Sequence, residues 1–469
     1  MLRRRTKIVA TLGPATDPPG VLDRLLAAGV ACVRINCSHG TAVEQRRRAQ
    51  DARAAAERAG RPLALLFDLQ GPKLRLSEGT APVDVLVGDT VTFVGSTRSP
   101  GAGEVVVDFA DFVQLVADSS ELVIGDGVPR FRVEAISRGR VLTRATMPGP
   151  LSPRKGITVT HALPSLPSIS DKDVVDLALA AEVGADFVAL SFVRSAADLD
   201  DLRDRLRGLS CPARTVAKIE RIVAYEHLDE ILEAADGVMV ARGDYGVEAG
   251  VARVPLMQKD TIYRATQVGK VVITATQMLE SMIHSPEPTR AEAADVANAV
   301  IDGTSATMLS AETGIGEYPV DAVRAMSEIA HVAEGAPSIH GRARGVHANT
   351  PAAAVLRAAV ELAAELDAAA LVIPTETGGA PRACSKYRPG RPIIALSPDQ
   401  TVTNQLMLEW GVYPARMPAA KSVDELVEAS LAAARDLGGI PSGARVVLTS
   451  GRQTGVPGAT SLIMVREIP

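Results

Sequence analysis

Short apolar runs alternate along the chain with longer segments whose apolar residues recur every three or four positions. The runs end in Gly, Pro or charge and read as strands covered on both faces; the spaced segments read as helices packed over them. Residues 7–12 form the first run, closed by Gly13-Pro14, and 21–28 the first helix, stopped by Gly29. Residues 32–36 and 63–68 are the second and third strands, with a helix over 43–59 between them. The alternation pauses and then resumes at Ser170, the expected N-cap of a helix over 171–183. Strands follow at 187–192, 215–219, 237–241, 271–275 and 306–309, each leading into a helix: 196–206, 224–234, 255–268, 291–301 and 320–334.

Between about 76 and 164 the helical period largely vanishes. Residues 83–94, 121–124 and 131–144 show Val-rich alternation with Gly-containing turns, an all-β module set between the third strand and its helix. A structureless loop of that length is implausible. Residues 337–349 are rich in Gly, His and Arg and read as a linker. Beyond them a helix over 352–366 and apolar strands at 370–373, 392–396 and 445–448 make a separate α/β domain of ordinary size.

Eight strands alternating with helices is the (β/α)8 pattern. A doubly wound sheet also alternates, but here polar residues end six of the strands: Arg34/Asn36/Ser38, Asp68/Gln70, Lys218/Glu220, Arg242/Asp244, Thr274/Thr276 and Ser310/Glu312. A barrel brings such ends to one mouth, whereas an open sheet spreads them along an edge. The expected architecture is a TIM (β/α)8 barrel over 1–72 and 165–336, an inserted small β-barrel lid over 73–164, and a C-terminal α/β domain over 337–469.

Composition narrows the function. With 50 basic and 55 acidic residues the net charge is −5, so no basic domain offers itself to nucleic acid. Cys32, Cys37, Cys211 and Cys384 are scattered and read as buried thiols of a reducing compartment. No apolar run is long enough to span a bilayer and the basic start lacks a signal-peptide core, so a cytoplasmic protein is expected. The chain also lacks the phosphate loop, the complete dinucleotide fingerprint, the zinc-protease helix and the serine-hydrolase elbow.

The fifth and sixth strands carry the chemistry. Alternate residues share a strand face, so Lys218 pairs with Glu220, and Arg242 with Asp244. Adjacent strands lie about 4.8 Å apart, within reach of one cation shared by Glu220 and Asp244. Two carboxylates suit Mg²⁺ or Mn²⁺. The plain alternative is a pair of strand ends with a structural ion pair. Arg34, Arg75 and Lys218 add a positive field for an anionic, phosphorylated small substrate. Lys218 fits a transferring phosphoryl group, a Schiff base, or a buried pair with Glu220; the metal carboxylates favour the first. Thr276, Ser310 and Glu312 are weaker signals, since each such residue is more often a strand-end hydrogen-bonding group than a catalyst.

Residues 7–16, 34–40, 68–75, 217–220, 241–244, 274–282, 288–299 and 308–319 together resemble the pyruvate kinase family. The runs Ala275-Thr276-Gln277-Met278-Leu279-Glu280-Ser281-Met282 and Pro288-Thr289-Arg290-Ala291-Glu292 are the most specific. The resemblance implies phosphoryl transfer from phosphoenolpyruvate to ADP, and a homotetramer. It implies that Arg34 holds the substrate phosphate and that Glu220 and Asp244 bind Mg²⁺. The Gly243 backbone and Thr276 face the carboxylate and enolate end, and Lys218 stabilises the phosphoryl group in flight. Asn36, His39, Arg75 and Lys155 serve the nucleotide, while Ser310 and Glu312 belong to the proton path. Asn36, Ser38, Asp68 and the Leu69 carbonyl match a monovalent-cation site.

Departures from the family pattern carry their own expectations. Lys73 stands where potassium-dependent members have Glu, so its ammonium is expected to replace K⁺. In the C-terminal domain Thr375-Glu376-Thr377-Gly378-Gly379-Ala380 resembles a sugar-phosphate loop, but Gly379 stands where Arg is common. Arg382 and Arg452 are left for a different phosphorylated effector. Two competing readings remain: a metal-dependent aldolase or lyase of a pyruvate enolate, and a non-catalytic effector-binding paralogue.

Overall fold

The computed structural model describes residues 4–97, 101, 103–125, 127–160, 167–336, 346, 348, 350–453, 455–456 and 458–469. Eight parallel strands close into a barrel: Lys7–Thr11, Cys32–Asn36, Ala64–Asp68, Phe187–Leu190, Arg214–Ile219, Gly237–Ala241, Val271–Ala275 and Ala306–Leu309, here barrel strands 1 to 8. Strand 1 pairs with strand 2 on one side and strand 8 on the other, which closes the ring. The strands are almost wholly buried. Val9, Leu66, Phe187, Val216, Met239, Ile273 and Met308 fill the interior, joined by Met407 and Leu408 from the C-terminal domain. A second apolar shell lies between strands and helices, where Leu25, Ala52, Leu177, Leu202, Ile231, Ile262, Val296 and Val323 pack outward-facing strand residues.

Helix starts follow the local chemistry. Ser170 caps Asp171–Glu182: its hydroxyl accepts from the Asp173 N–H at 3.2 Å while Asp173 takes the Ser170 N–H at 2.8 Å. Such a cap stabilises a helix by about 1 kcal/mol. The same Asp173 accepts the Gly71 N–H at 3.2 Å, so this cap also anchors the loop after strand 3. Thr41 and Thr289 form matching capping boxes on Ala42–Arg58 and Arg290–Asp302.

The inserted region is all-β, as the alternation predicts. Six strands are ordered Ile157–Val159, Glu121–Ile124, Arg130–Ser137, Arg140–Met147, Thr90–Gly95 and Glu104–Val107, beside a two-stranded sheet of Val83–Val85 and Gly149–Leu151. The alternating stretch over 131–144 lies in a hairpin that turns at Arg138 and Gly139, both at positive φ. The expected lid end at 164 lies outside the described residues, as does the linker over 337–349 apart from residues 346 and 348.

The C-terminal domain is a five-stranded sheet ordered Val412–Arg416, Ile393–Ser397, Ala370–Pro374, Arg445–Gly451 and Thr460–Glu467, the last antiparallel. Its edges are the two strands the apolar pattern did not single out. Where it meets the barrel floor, Lys7 Nζ donates to the Val412 carbonyl and sits 4.7 Å from the Tyr413 ring. Glu334 accepts the N–H groups of Arg5 and Thr6. Among the described residues no helix is long and apolar enough to cross a membrane.

Candidate active site

The carboxyl ends of barrel strands 2, 3, 4 and 5 meet around one ammonium, on a side chain 12% exposed. Lys218 near the end of strand 5 places Nζ 2.8 Å from Glu220 Oε1, 3.2 Å from Asp68 Oδ1 and 2.7 Å from Ser191 Oγ. Asp68, last residue of strand 3, also takes Arg34 Nε at 2.7 Å from strand 2. Arg34 is fixed on its other side by Thr11 Oγ1 of strand 1, at 3.0 Å. Both carboxylate side chains are about 1% exposed. Burial alone would raise the Asp68 pKa, but Lys218 and Arg34 outweigh it and hold the group below the ordinary carboxylate range. Burial likewise opposes the Lys218 charge, and the carboxylates of Asp68 and Glu220 overcome it, pushing that pKa up.

Glu220 goes the other way. Burial raises its pKa, Lys218 opposes the rise and Asp244 adds to it by repulsion. Its second oxygen accepts the Phe192 N–H at 2.8 Å. Two carboxylates that repel each other beside a cleft match a divalent cation, whose charge would relieve both. Among the described residues no group of three metal-ligating side chains exists, so Glu220 and Asp244 would leave most of the coordination shell to water and substrate oxygens. That is how Mg²⁺ is held with phosphate substrates, and the residues fit it.

The sixth strand stops at Ala241, and Arg242–Ala249 is a helix. This corrects the expected period-two pairing of Arg242 with Asp244: of the two, only Asp244 meets Lys73 and the Glu220 charge. Arg242 turns beneath, donating to the carbonyls of Thr276 at 2.6 Å and Gln277 at 2.9 Å and pairing with Asp295 at 2.5 Å. It thereby clamps two residues in the left-handed region, Thr276 at φ +65° and Gln277 at φ +52°. Thr276 Oγ1 accepts the Gly243 N–H at 3.0 Å, which ties strand 7 to the first turn after strand 6. Beyond strand 8, the Glu312 carboxylate accepts the N–H groups of Ser310 at 2.7 Å and Leu279 at 3.1 Å.

The remaining expected residues form a rim. Lys73 Nζ lies 3.4 Å from Asp244 Oδ1, so it meets a carboxylate expected to bind the metal. Asn36 Oδ1 accepts the Ser38 N–H at 3.1 Å, and the Leu69 carbonyl accepts from Ser191. His39 is exposed. Partial burial lowers its pKa, and the nearby cations Arg75, Arg34 and Lys73 lower it further. Arg75 donates to the Arg154 carbonyl at 3.2 Å, and Lys155 to the Pro150 carbonyl at 3.2 Å, both within the inserted module.

Sequence reasoning missed Ser191 and Phe192 at the end of strand 4, because Ser191-Phe192-Val193 reads as a continuing apolar run. The backbone leaves the strand there, with Phe192 at φ +55°. In the C-terminal domain a cavity of about 280 Å³ opens at the strand ends, with Thr375, Thr377, Ser450 and Thr460 in its wall and Glu376 as the one charged residue among the described residues that line it. Arg382 does not line it; that side chain pairs with Glu409 at 3.3 Å and donates to the Thr377 carbonyl at 2.7 Å.

Comparison with known proteins agrees with this layout. Residues 3–323 match the pyruvate kinase barrel domain and residues 353–466 the pyruvate kinase alpha/beta domain. The chain is 39% identical over 474 residues to the pyruvate kinase of Geobacillus stearothermophilus, covering 100% of this chain and 81% of the relative. It is 38% identical over 474 residues to pyruvate kinase 2 of a Synechocystis strain, covering 100% and 80%. With the pyruvate kinase of Methylorubrum extorquens it shares 38% identity over 468 residues, 98% of this chain and 97% of that one. The chain belongs to the pyruvate kinase family.

Proposed function

We infer that the chain transfers the phosphoryl group of phosphoenolpyruvate to ADP, giving pyruvate and ATP. The observation that carries this reading is the ammonium of Lys218, held between Asp68 and Glu220 beside Arg34. Phosphoryl transfer asks the protein mainly for positioning and charge neutralisation. Arg34 receives the substrate phosphate, and Lys218 neutralises the phosphoryl oxygens between donor and acceptor. Glu220 and Asp244 would hold Mg²⁺ or Mn²⁺, which supplies further neutralisation of phosphate and enolate oxygens. Gly243 and Thr276 orient the carboxylate and enolate end. Ser310 lies on the path that protonates the enolate, and Glu312 sets its backbone. Asn36, His39, Arg75 and Lys155 meet the nucleotide from the rim.

Lys73 takes the part of a monovalent cation. Its support is its place 3.4 Å from Asp244, where a positive charge eases the crowding of carboxylates. Asn36, Ser38, Asp68 and the Leu69 carbonyl then need no K⁺ between them. We assign the barrel to 1–72 and 165–336, the lid to 73–164 and the regulatory domain to 337–469. An effector belongs in the C-terminal cavity, whose hydroxyls suit phosphate oxygens and whose Glu376 disfavours a second phosphate. Val251, Leu256, Tyr263 and Val268 are more than half exposed on and beside Val254–Val268 and offer an apolar face for assembly into a homotetramer. A cytoplasmic location fits four free buried thiols.

The test is pyruvate formation from phosphoenolpyruvate, assayed with and without ADP and with and without Mg²⁺. Dependence on both supports the reading. Pyruvate released without ADP points to a lyase, and no turnover under any condition to a non-catalytic paralogue.

A further inference from the structure

Ser191 has no part in the reaction as laid out above, yet it is 2% exposed and touches the central lysine. Its hydroxyl has one proton, which it donates to the Leu69 carbonyl at 2.7 Å. That bond sets the rotor, so the oxygen's lone pairs are left to accept from Lys218 Nζ at 2.7 Å. The loop after strand 3 closes over the pair. Gly71 sits at φ +68°, and a Cβ there would come within 3.0 Å of the Ser191 Cβ and 3.2 Å of its carbonyl oxygen. Ser191 is thus wedged between strands 3 and 5 with little room to move.

Lys218 has three oxygen neighbours: it donates a hydrogen bond to Ser191 at 2.7 Å and forms ion pairs with Glu220 at 2.8 Å and Asp68 at 3.2 Å. Two of the three are carboxylates and balance the charge. The third is a neutral hydroxyl, and a bond to a neutral acceptor is cheaper to give up than a bond to a carboxylate. When a phosphoryl oxygen approaches, one N–H must turn toward it. Releasing the carboxylates would strand buried negative charge, whereas releasing Ser191 strands none.

We propose that Ser191 is a positioning residue for phosphoryl transfer: it holds one Lys218 N–H in place in the resting site and yields that N–H to the transferring group. The proposal rests on the reading of Lys218 given under Proposed function. It also makes the Leu69 carbonyl a positioning group, because it fixes the serine rotor.

The test uses the full chain with Ser191→Ala and Ser191→Cys. The second keeps the volume while replacing a good acceptor by a weak one. Both should lower kcat about 10²-fold, the scale of a misplaced reacting group, with KM for phosphoenolpyruvate changed less than twofold and Tm changed by only a few degrees. In a Lys218→Met background, adding Ser191→Ala should change the residual kcat less than twofold, since no ammonium is left to position. Full kcat in Ser191→Cys overturns the proposal, and so does an equal cost of Ser191→Ala in both backgrounds, which is the mark of a structural role. A Lys218→Met variant that turns over at the original rate instead sinks the reading of Lys218 itself.

Discussion

Replacing Lys218 by Met removes the ammonium while keeping the length of the side chain. At 2.8 Å and 3.2 Å, each carboxylate contact amounts to about 5–6 kcal/mol of attraction in an effective dielectric near 20, most of it spent on burying the charges. Asp68 keeps Arg34 at 2.7 Å, so Glu220 is the group left exposed to loss. It retains the Phe192 N–H and still faces Asp244. Breaking a buried pair from one side costs about 3–5 kcal/mol, which should appear as a lower Tm. Loss of a preorganised donor aimed at developing charge costs about 10²–10³-fold in kcat. Phosphoenolpyruvate binding should persist, because Arg34 keeps both its partners, Asp68 and Thr11. Steady-state turnover, equilibrium binding of phosphoenolpyruvate and thermal unfolding together check the three parts. Near-original kcat in a variant with reduced Tm would refute the catalytic role and leave a structural one. Unchanged Tm would refute the claim that this lysine neutralises Asp68 and Glu220.

Other expectations rest on separate contacts. Lys73→Glu reverses the charge beside Asp244, so turnover should become dependent on K⁺, while the parent should be equally active in buffer with and without it; a variant still indifferent to K⁺ would count against the stand-in role. Arg242→Met frees the two left-handed residues Thr276 and Gln277 and leaves Asp295 unpaired; kcat should fall about 10²-fold and stability by about 2–3 kcal/mol, read from turnover and denaturant unfolding. Lys7 is held at a pKa of about 7 by burial, with Arg4 and Arg61 adding to the effect and Glu334 and Glu409 opposing it. The unfolded chain keeps that proton up to about pH 10.5, so stability should rise with pH between about 7 and 10.5. Lys7→Met should therefore raise Tm at or below pH 7, by about 1–4 kcal/mol in stability, and lose that advantage near pH 10, where the neutral amine still donates to the Val412 carbonyl; a pH-independent difference would be the wrong sign of evidence.

The barrel was legible because a parallel strand buried on both faces leaves an uninterrupted apolar run, and eight such runs survive in the sequence. Val412–Arg416 and Thr460–Glu467 were not legible for the opposite reason: they are sheet edges whose residues are largely half-buried or exposed. At the site, charged residues announced themselves and neutral ones did not. Lys218, Glu220, Asp68 and Arg34 converge as their positions at strand ends imply. Arg242 was misread because polar residues at period two look like a strand continuing, whereas the backbone turns into a helix immediately after Ala241. Ser191 was invisible because one hydroxyl before Phe and Val does not interrupt an apolar run. Its importance lies in a contact across three strands, which no local pattern encodes.

Pairing within the resting site explains why the departure at Lys73 should matter. Arg34 and Lys218 meet Asp68 and Glu220 in one chain of contacts, Lys73 meets Asp244 in another, and repulsion between the Glu220 and Asp244 charges links the two. On the proposed reading, an incoming phosphate would take the place of a carboxylate on a cation, and Glu220 and Asp244 would hold the divalent ion. With Glu in place of Lys73 the same set would hold two cations against four carboxylates. Close like charges resist ionisation, so an added monovalent cation would be the cheapest way to keep Glu220 and Asp244 ionised. On the proposed reading, K⁺ dependence and the residue after Pro72 would be two expressions of one charge balance. For that reason the Lys73→Glu variant should show not only K⁺ dependence of kcat but also weaker Mg²⁺ affinity when K⁺ is absent, restored when K⁺ is supplied. Loss of Mg²⁺ affinity that K⁺ does not restore would place Lys73 outside that balance.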